Sequence, residues 1–330
     1  MPRFTLRSDG RPEATPLTAR RHWLQQSAAL GVALAAPLAL PVQAAAPLLW
    51  LISADQSPPY AQALAAVRES LPGVAMRLFG PNLPPVTVGA PTPDLILTLG
   101  TAALRQALEL ASTQPTLAQV PVAAGLLPRS SYEPLARRPP PPLTAVWLDP
   151  APERPLDLIR LAMPQRRKVA VIWGPSSRIW RGAVAAAAGE RGLELIEATV
   201  PTLELFPALN QVLAPADVLL LMPDAAVYPP EQLNHVLLTA YRQRVPVLGF
   251  AAAQARAGAT LALFTTPEQA GRQLGQRVRR WLDDRRQWPA PGPSSQWTLE
   301  TNEPVAQSLG LGLPSAEALT QALRRLDPRS

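Results

Sequence analysis

Cysteine is absent from all 330 residues. That excludes disulfides, thiolate metal sites, iron–sulfur clusters and a cysteine nucleophile. Histidine is nearly as scarce, with only His22 and His235, and lysine occurs once, at Lys168, against 30 arginines. That arginine bias, with the excess of Ala and Pro, reads as a coding preference and carries little functional weight. Charged residues make up only 17% of the chain and hydrophobic residues 47%, which is too apolar for intrinsic disorder. The length allows about two domains at ~150 residues each, and the 41 prolines stiffen the connections between elements.

No apolar run reaches the ~20 residues that a membrane-spanning helix needs. The longest stretch near the N-terminus, Ala28 to Leu40, has 13 residues and contains Pro37. It follows Arg20-Arg21 and Trp23-Leu24 and precedes a small-residue region ending Val42-Gln43-Ala44 or Ala44-Ala45-Ala46. Residues 1–44 therefore read as a cleaved export signal of twin-arginine type, with the general secretory route as the alternative. No cysteine follows the stretch, so a lipid anchor is excluded. The mature chain is expected to be soluble, periplasmic and not inserted in the membrane once the signal is cleaved.

The formal charge of +7 suggests nucleic acid, but much of it lies in the signal. Without residues 1–44 there remain 26 basic against 22 acidic residues, a net of +4. The remaining clusters, Arg137-Arg138, Arg166-Arg167-Lys168 and Arg277 to Arg286, are scattered and carry no interleaved aromatic face. They read as solvated surface, with no nucleic-acid partner.

From Pro47 onwards short apolar runs alternate with longer amphipathic segments, the pattern of parallel sheets with crossover helices. Strands are expected at Leu48 to Ser53, Val74 to Phe79, Asp94 to Leu99, Val120 to Ala124 and Leu143 to Leu148, and again at Lys168 to Trp173, Leu193 to Ala198, Asp217 to Met222, Val247 to Phe250, Ala259 to Phe264 and Gln296 to Thr301. Ser57-Pro58, Gly100-Thr101 and Thr266-Pro267 open helices, the last with Gln269 in the capping-box position. Arg137 to Pro142 reads as a stiff spacer. The fold class is α/β, with two doubly wound Rossmann-like lobes meeting near residue 145. In such folds a ligand binds at the carboxyl ends of the strands, here between the lobes.

The ordered segments Asp94 to Ala103, Arg167 to Ser177, Asp217 to Asp224, Val245 to Phe250 and Leu299 to Leu313 together resemble the solute-binding proteins of ABC transporters. The similarity is greatest to a group of periplasmic components that includes binders of aromatic amino acids. It runs over nearly all of residues 47 to 320, and it implies a type I-like periplasmic binding fold with a hinge. The N-terminal lobe would then take 45–145 plus about 267–295, and the C-terminal lobe 146–266 plus about 296–330. It also implies a small-molecule ligand, ABC permease subunits as partners, and a monomer. A periplasmic sensor or envelope interaction protein of the same fold is the alternative reading. Where relatives carry polar or acidic residues after the strand ending at Gly249, this chain has Phe250-Ala251-Ala252-Ala253.

The candidate ligand-binding residues sit at strand ends. Gly100 and Thr101, and Ser176 and Ser177, lie at turns where a helix N-terminus can meet a carboxylate or phosphate. Asp55, with Ser57 beside it, and Asp224 could receive an amine, while Tyr60, Trp173, Trp180, Tyr228 and Phe250 could flank a flat ligand. No catalytic residue, metal site or cofactor is expected. His235 lies inside a helix, His22 leaves with the signal, and no G-x-S-x-G, H-E-x-x-H or Walker A pattern exists. Changing Arg20 and Arg21 together to Lys should hold the precursor in the cytoplasm, as read by fractionation; normal export of that variant would refute the twin-arginine route.

Overall fold

The protein is seen here as a computed structural model that describes residues 46–81, 91–137, 141–200, 205–284 and 288–327. Residues 1–45, where an export signal is expected, and Arg138 to Pro140 of the Pro-rich run fall outside the described residues. Among the described residues no helix is long and apolar enough to cross a membrane. Residues 45–330 form one compact unit.

The first sheet begins with β1 (Leu48–Ser53), which leads through α1 (Pro58–Ser70) to β2 (Ala75–Phe79). Then come β3 (Leu95–Leu99), α2 (Thr101–Thr113), β4 (Val122–Leu127), α3 (Arg129–Ala136) and β5 (Leu143–Trp147). β3 and β4 are buried at every position, as strands covered on both faces must be, whereas β2 alternates exposed and half-buried residues because it closes the edge.

The chain crosses over through α4 (Glu153–Ala162) into β6 (Lys168–Trp173). A short 3-10 turn at Arg178–Trp180 runs into α5 (Arg181–Glu190), followed by β7 (Glu194–Thr199), α6 (Leu205–Leu213), β8 (Val218–Leu220), α7 (Pro230–Arg242), β9 (Val247–Gly249), α8 (Ala252–Ala257) and β10 (Leu261–Phe264). It then returns to the first sheet with α9 (Pro267–Asp283) and the two-residue β11 (Gly292–Pro293). It ends on the second with β12 (Thr298–Thr301), α10 (Glu303–Ser308) and α11 (Ala316–Leu326).

The sheet orders are β11-β5-β4-β3-β1-β2 and β12-β10-β9-β8-β6-β7. Every pairing is parallel except β10 with β12. Each sheet therefore repeats the doubly wound order, reversing direction beside its first strand, between β1 and β3 and between β6 and β8. Two lobes result, with an apolar core on each face of each sheet. The proline of β11 is tolerated because that strand pairs only with β5 at the edge.

The expected capping box at α9 is present: Thr266 Oγ1 accepts from Gln269 N at 3.1 Å, and Gln269 Oε1 accepts from Thr266 N at 2.9 Å. Three short helices, α3, α8 and α10, lie where the sequence suggested loop. Ser57 stands at the N-cap of α1, yet its hydroxyl goes to Asp55 rather than to the helix. Thr101 is the first residue of α2 and Gly100 its N-cap, with no side-chain cap.

α9 packs so closely on α1 that only glycine fits the contact. A Cβ at Gly271 would lie 2.2 Å from the Ala63 carbonyl oxygen, and one at Gly275 2.5 Å from Ser70 Cβ. Gly271→Ala should therefore lower the stability by about 1–3 kcal/mol in urea unfolding. Gly182→Ala, in the open face of α5 with nothing within 4 Å, should raise it by up to about 1 kcal/mol. Equal effects would show that the α1–α9 contact is not tight.

Candidate functional site

The two points where strand order reverses are the places where a doubly wound sheet opens a crevice. In the first lobe the crevice lies between the loops after β1 and β3. Asp55 there is exposed and turns back on its own loop, accepting from Gln56 N (2.6 Å), Ser57 N (3.3 Å) and Ser57 Oγ (2.8 Å). The Ser57 hydroxyl, and then the Gln56 amide, hold its carboxyl below the usual range. Across the crevice Tyr60 lies over Gly100, whose φ of +91° suits glycine, and a Cβ there would meet Tyr60 Cε1 at 2.9 Å. Burial pushes the Tyr60 hydroxyl up in pKa, with Asp55 adding to the effect. Because Gly100 has no side chain to cap α2, the first amides of that helix have neither an intrahelical acceptor nor a side-chain cap.

The second lobe is different. Asp224 is buried, and its Oδ2 accepts from Ser176 N (2.9 Å), Ser177 N (2.8 Å) and Ser177 Oγ (3.0 Å), while Oδ1 accepts from Ala226 N at 3.0 Å. Ser177 Oγ in turn accepts from Gly174 N at 2.9 Å. The amides expected to be free for a ligand carboxylate are thus taken by the chain's own carboxylate, and Asp224 is buried with them. Trp173 is fully buried and donates through Nε1 to Glu197 at 2.6 Å. Tyr228 is buried too, and its hydroxyl finds no partner among the described residues. Asp224, Ser177, Trp173 and Tyr228 thus lie in the interior of the second lobe, while Ser176 is half-buried at the turn. Phe250 is half-buried, its amide donating to Gln254 Oε1 at 2.6 Å.

The residues that join the lobes are ones the sequence reading largely passed over. Asp149 begins the first crossover, and its buried carboxylate accepts from Arg129 N at 2.6 Å on the first lobe and from Trp180 Nε1 at 3.3 Å on the second. Burial raises the pKa of Asp149, opposed by those two donors and by the nearby Arg129 charge. The Arg129 guanidinium lies 4.4 Å from the ring centre of Trp180 and 5.3 Å from that of Trp147, and the two indoles meet edge to face at 6.3 Å and 78°. Beside Asp149 and Trp180 lies a small apolar pocket lined by Pro150, Met222, Pro223, Phe250 and Leu263, at the carboxyl ends of β8, β9 and β10.

The chain reaches this junction through a distortion. β4 shifts register between Ala124 and Leu127, and Leu126 takes φ +58°, a left-handed conformation costly for a branched residue. Such bulges re-aim a chain beside functional sites. This one delivers Arg129 to Asp149, and only the sequence Gly125-Leu126-Leu127-Pro128 hints at it. Among the described residues no group of three or more His, Asp or Glu could hold a metal.

Two mostly parallel doubly wound sheets facing one junction define the two-lobed fold of type I periplasmic binding proteins. Residues 93–295, more than half of the chain, match the ABC transporter substrate binding protein family, and the protein belongs to that family. Solved structures of similar fold include an ABC domain in complex with L-Trp from Streptococcus pneumonia (16% identity, TM-score 0.55, covering 84% of this chain and 98% of that one). Another is the ligand-free, open form of a substrate binding protein with adhesive properties from Clostridium difficile (16%, 0.60, 82% and 96%). A third is a periplasmic ribose ABC transporter protein from Conexibacter woesei (13%, 0.52, 83% and 97%). No curated protein sequence matches the chain.

Asp224→Ala would leave three amides, of Ser176, Ser177 and Ala226, and the Ser177 hydroxyl without their acceptor, so it should destabilise the protein by about 3 kcal/mol in urea unfolding. An effect below about 0.5 kcal/mol would mean that this brace is dispensable.

Proposed function

We propose that the protein is the extracytoplasmic solute-binding component of an ABC importer. It would act in the periplasm as a monomer without catalytic activity, passing a small organic ligand to permease subunits. The observation that carries the reading is the meeting of strand carboxyl ends from both lobes at Asp149, in a member of a substrate-binding family.

The lobes would divide at 45–145 plus about 267–295 and 146–266 plus about 296–330, and hinge about the crossovers. Closure would then shift an open–closed equilibrium by burying the solute. An amino acid or related aromatic or apolar zwitterion suits the setting: the uncapped start of α2 at Gly100-Thr101 favours a carboxylate, and Met222 and Phe250 favour an apolar body. The L-Trp complex of one structural neighbour accords with this class.

Native mass spectrometry of the purified mature protein should reveal one small molecule per chain. Calorimetry against a panel of amino acids should identify its class, and small-angle scattering should show a more compact form at saturation. An empty protein that binds nothing in the panel and keeps one scattering profile would overturn the transport reading.

A further inference from the structure

We propose that Trp147, Trp180 and Asp149 form a recognition site for an organic cation, a substituted ammonium or guanidinium, whose present occupant is the chain's own Arg129. The inference rests on the solute-binding reading above and assigns where the solute's cationic end is held. Neither Asp55 nor Asp224 then carries that role.

The chemistry of the walls selects positive charge. An indole face attracts a cation through its quadrupole, and the attraction grows where water is excluded. Here two indole faces meet nearly at right angles, and a guanidinium sits 4.4 and 5.3 Å from their centres. Asp149 supplies a buried negative charge beside them, and its two oxygens are anchored by Arg129 N and Trp180 Nε1. An anion placed there would face two π clouds and a carboxylate.

The occupant is held loosely where it needs to be. The bond from Arg129 to Asp149 uses the backbone amide, so it persists when the side chain leaves. The guanidinium itself is drawn outward by Glu133 one turn along α3, and the side chains of this pair are each 26% exposed. Surface pairs of this kind hold weakly. Trp147 is half-buried, so the cage meets solvent on the side where the Arg129 and Glu133 side chains lie, while Asp149 and Trp180 also wall a small apolar pocket behind it. The strained Leu126 three residues before Arg129 shows that the fold maintains this placement against a local penalty.

The test is a titration of the mature protein and of Arg129→Ala with methylguanidinium, tetramethylammonium and the uncharged N-methylurea, read by calorimetry and by the indole N–H signals in NMR. Arg129→Ala should bind both cations at least about tenfold more tightly than the unaltered protein, shifting the signals of Trp147 and Trp180 but not those of Trp281 and Trp288. N-methylurea should leave all of them in place.

Equal response to N-methylurea, or a folded Arg129→Ala variant that ignores both cations, would overturn the proposal. If Arg129→Ala does not fold, Arg129→Gln, which keeps a polar chain of similar length without the charge, is titrated in its place: shifts at Trp147 and Trp180 with the two cations support the site, and their absence overturns it. Binding of a neutral or anionic solute from the amino-acid panel, with the cage probes inert, would overturn the cation assignment and leave the solute-binding reading standing.

Discussion

The arrangement of the two lobes depends on one buried carboxylate. Asp149 stands at the head of the first crossover and takes one N–H from each side, so it fixes the loop after β4, the crossover and the turn after β6 in a single act. A buried charge is tolerable only when its hydrogen bonds are complete, which is why the partners are rigid groups, a backbone amide and an indole. Deeper in the same crossover, Arg154 donates to Asp327 at 2.7 Å and to the Ser294 carbonyl at 3.1 Å, which ties the C-terminal helix and the third crossover to the first. The connecting strands are therefore bound to one another by charge as well as by chain.

The two reversal points show how one fold serves two ends. In the second lobe Asp224 stands at the crevice, and the backbone amides of Gly174, Ser176 and Ser177, with the Ser177 hydroxyl, are used in holding that turn still. In the first lobe a glycine and a tyrosine meet instead, and the helix start remains uncapped. The lobes share strand order but differ in what stands at the switch, so the second presents rigidity and the first presents donors.

The strands were legible because central strands of covered parallel sheets are near-continuous apolar runs, as in Leu95–Leu99 and Lys168–Trp173, and because Thr266-Pro267 with Gln269 spells a helix start. The short helices α3, α8 and α10 were not: six to eight residues give too little periodicity, and Pro134 inside α3 points away from helix. The site was legible only as strand ends. Asp224 follows its strand just as a ligand-binding aspartate would, and nothing in its neighbours announces that three donors of Ser176 and Ser177, 48 and 47 residues away, will claim it. Arg129 was missed for the complementary reason, since its position is set by a bulge and a positive φ that the pattern of Val122–Leu127 conceals.

The α1–α9 contact bears on the order in which the chain can assemble. Gly271 meets Ala63 across more than 200 residues, and β11 joins the first sheet later still. The N-terminal lobe therefore cannot complete its core while it is being synthesised; the five principal strands of the second sheet, contiguous from Lys168 to Phe264, are all available before it can. Closing so long a loop is slow relative to local pairing. The first part of the chain to be made is the last to mature, and it carries an exposed, half-built sheet through most of translation. That interval is when the half-built sheet most needs a chaperone to keep its open edges from pairing with other chains.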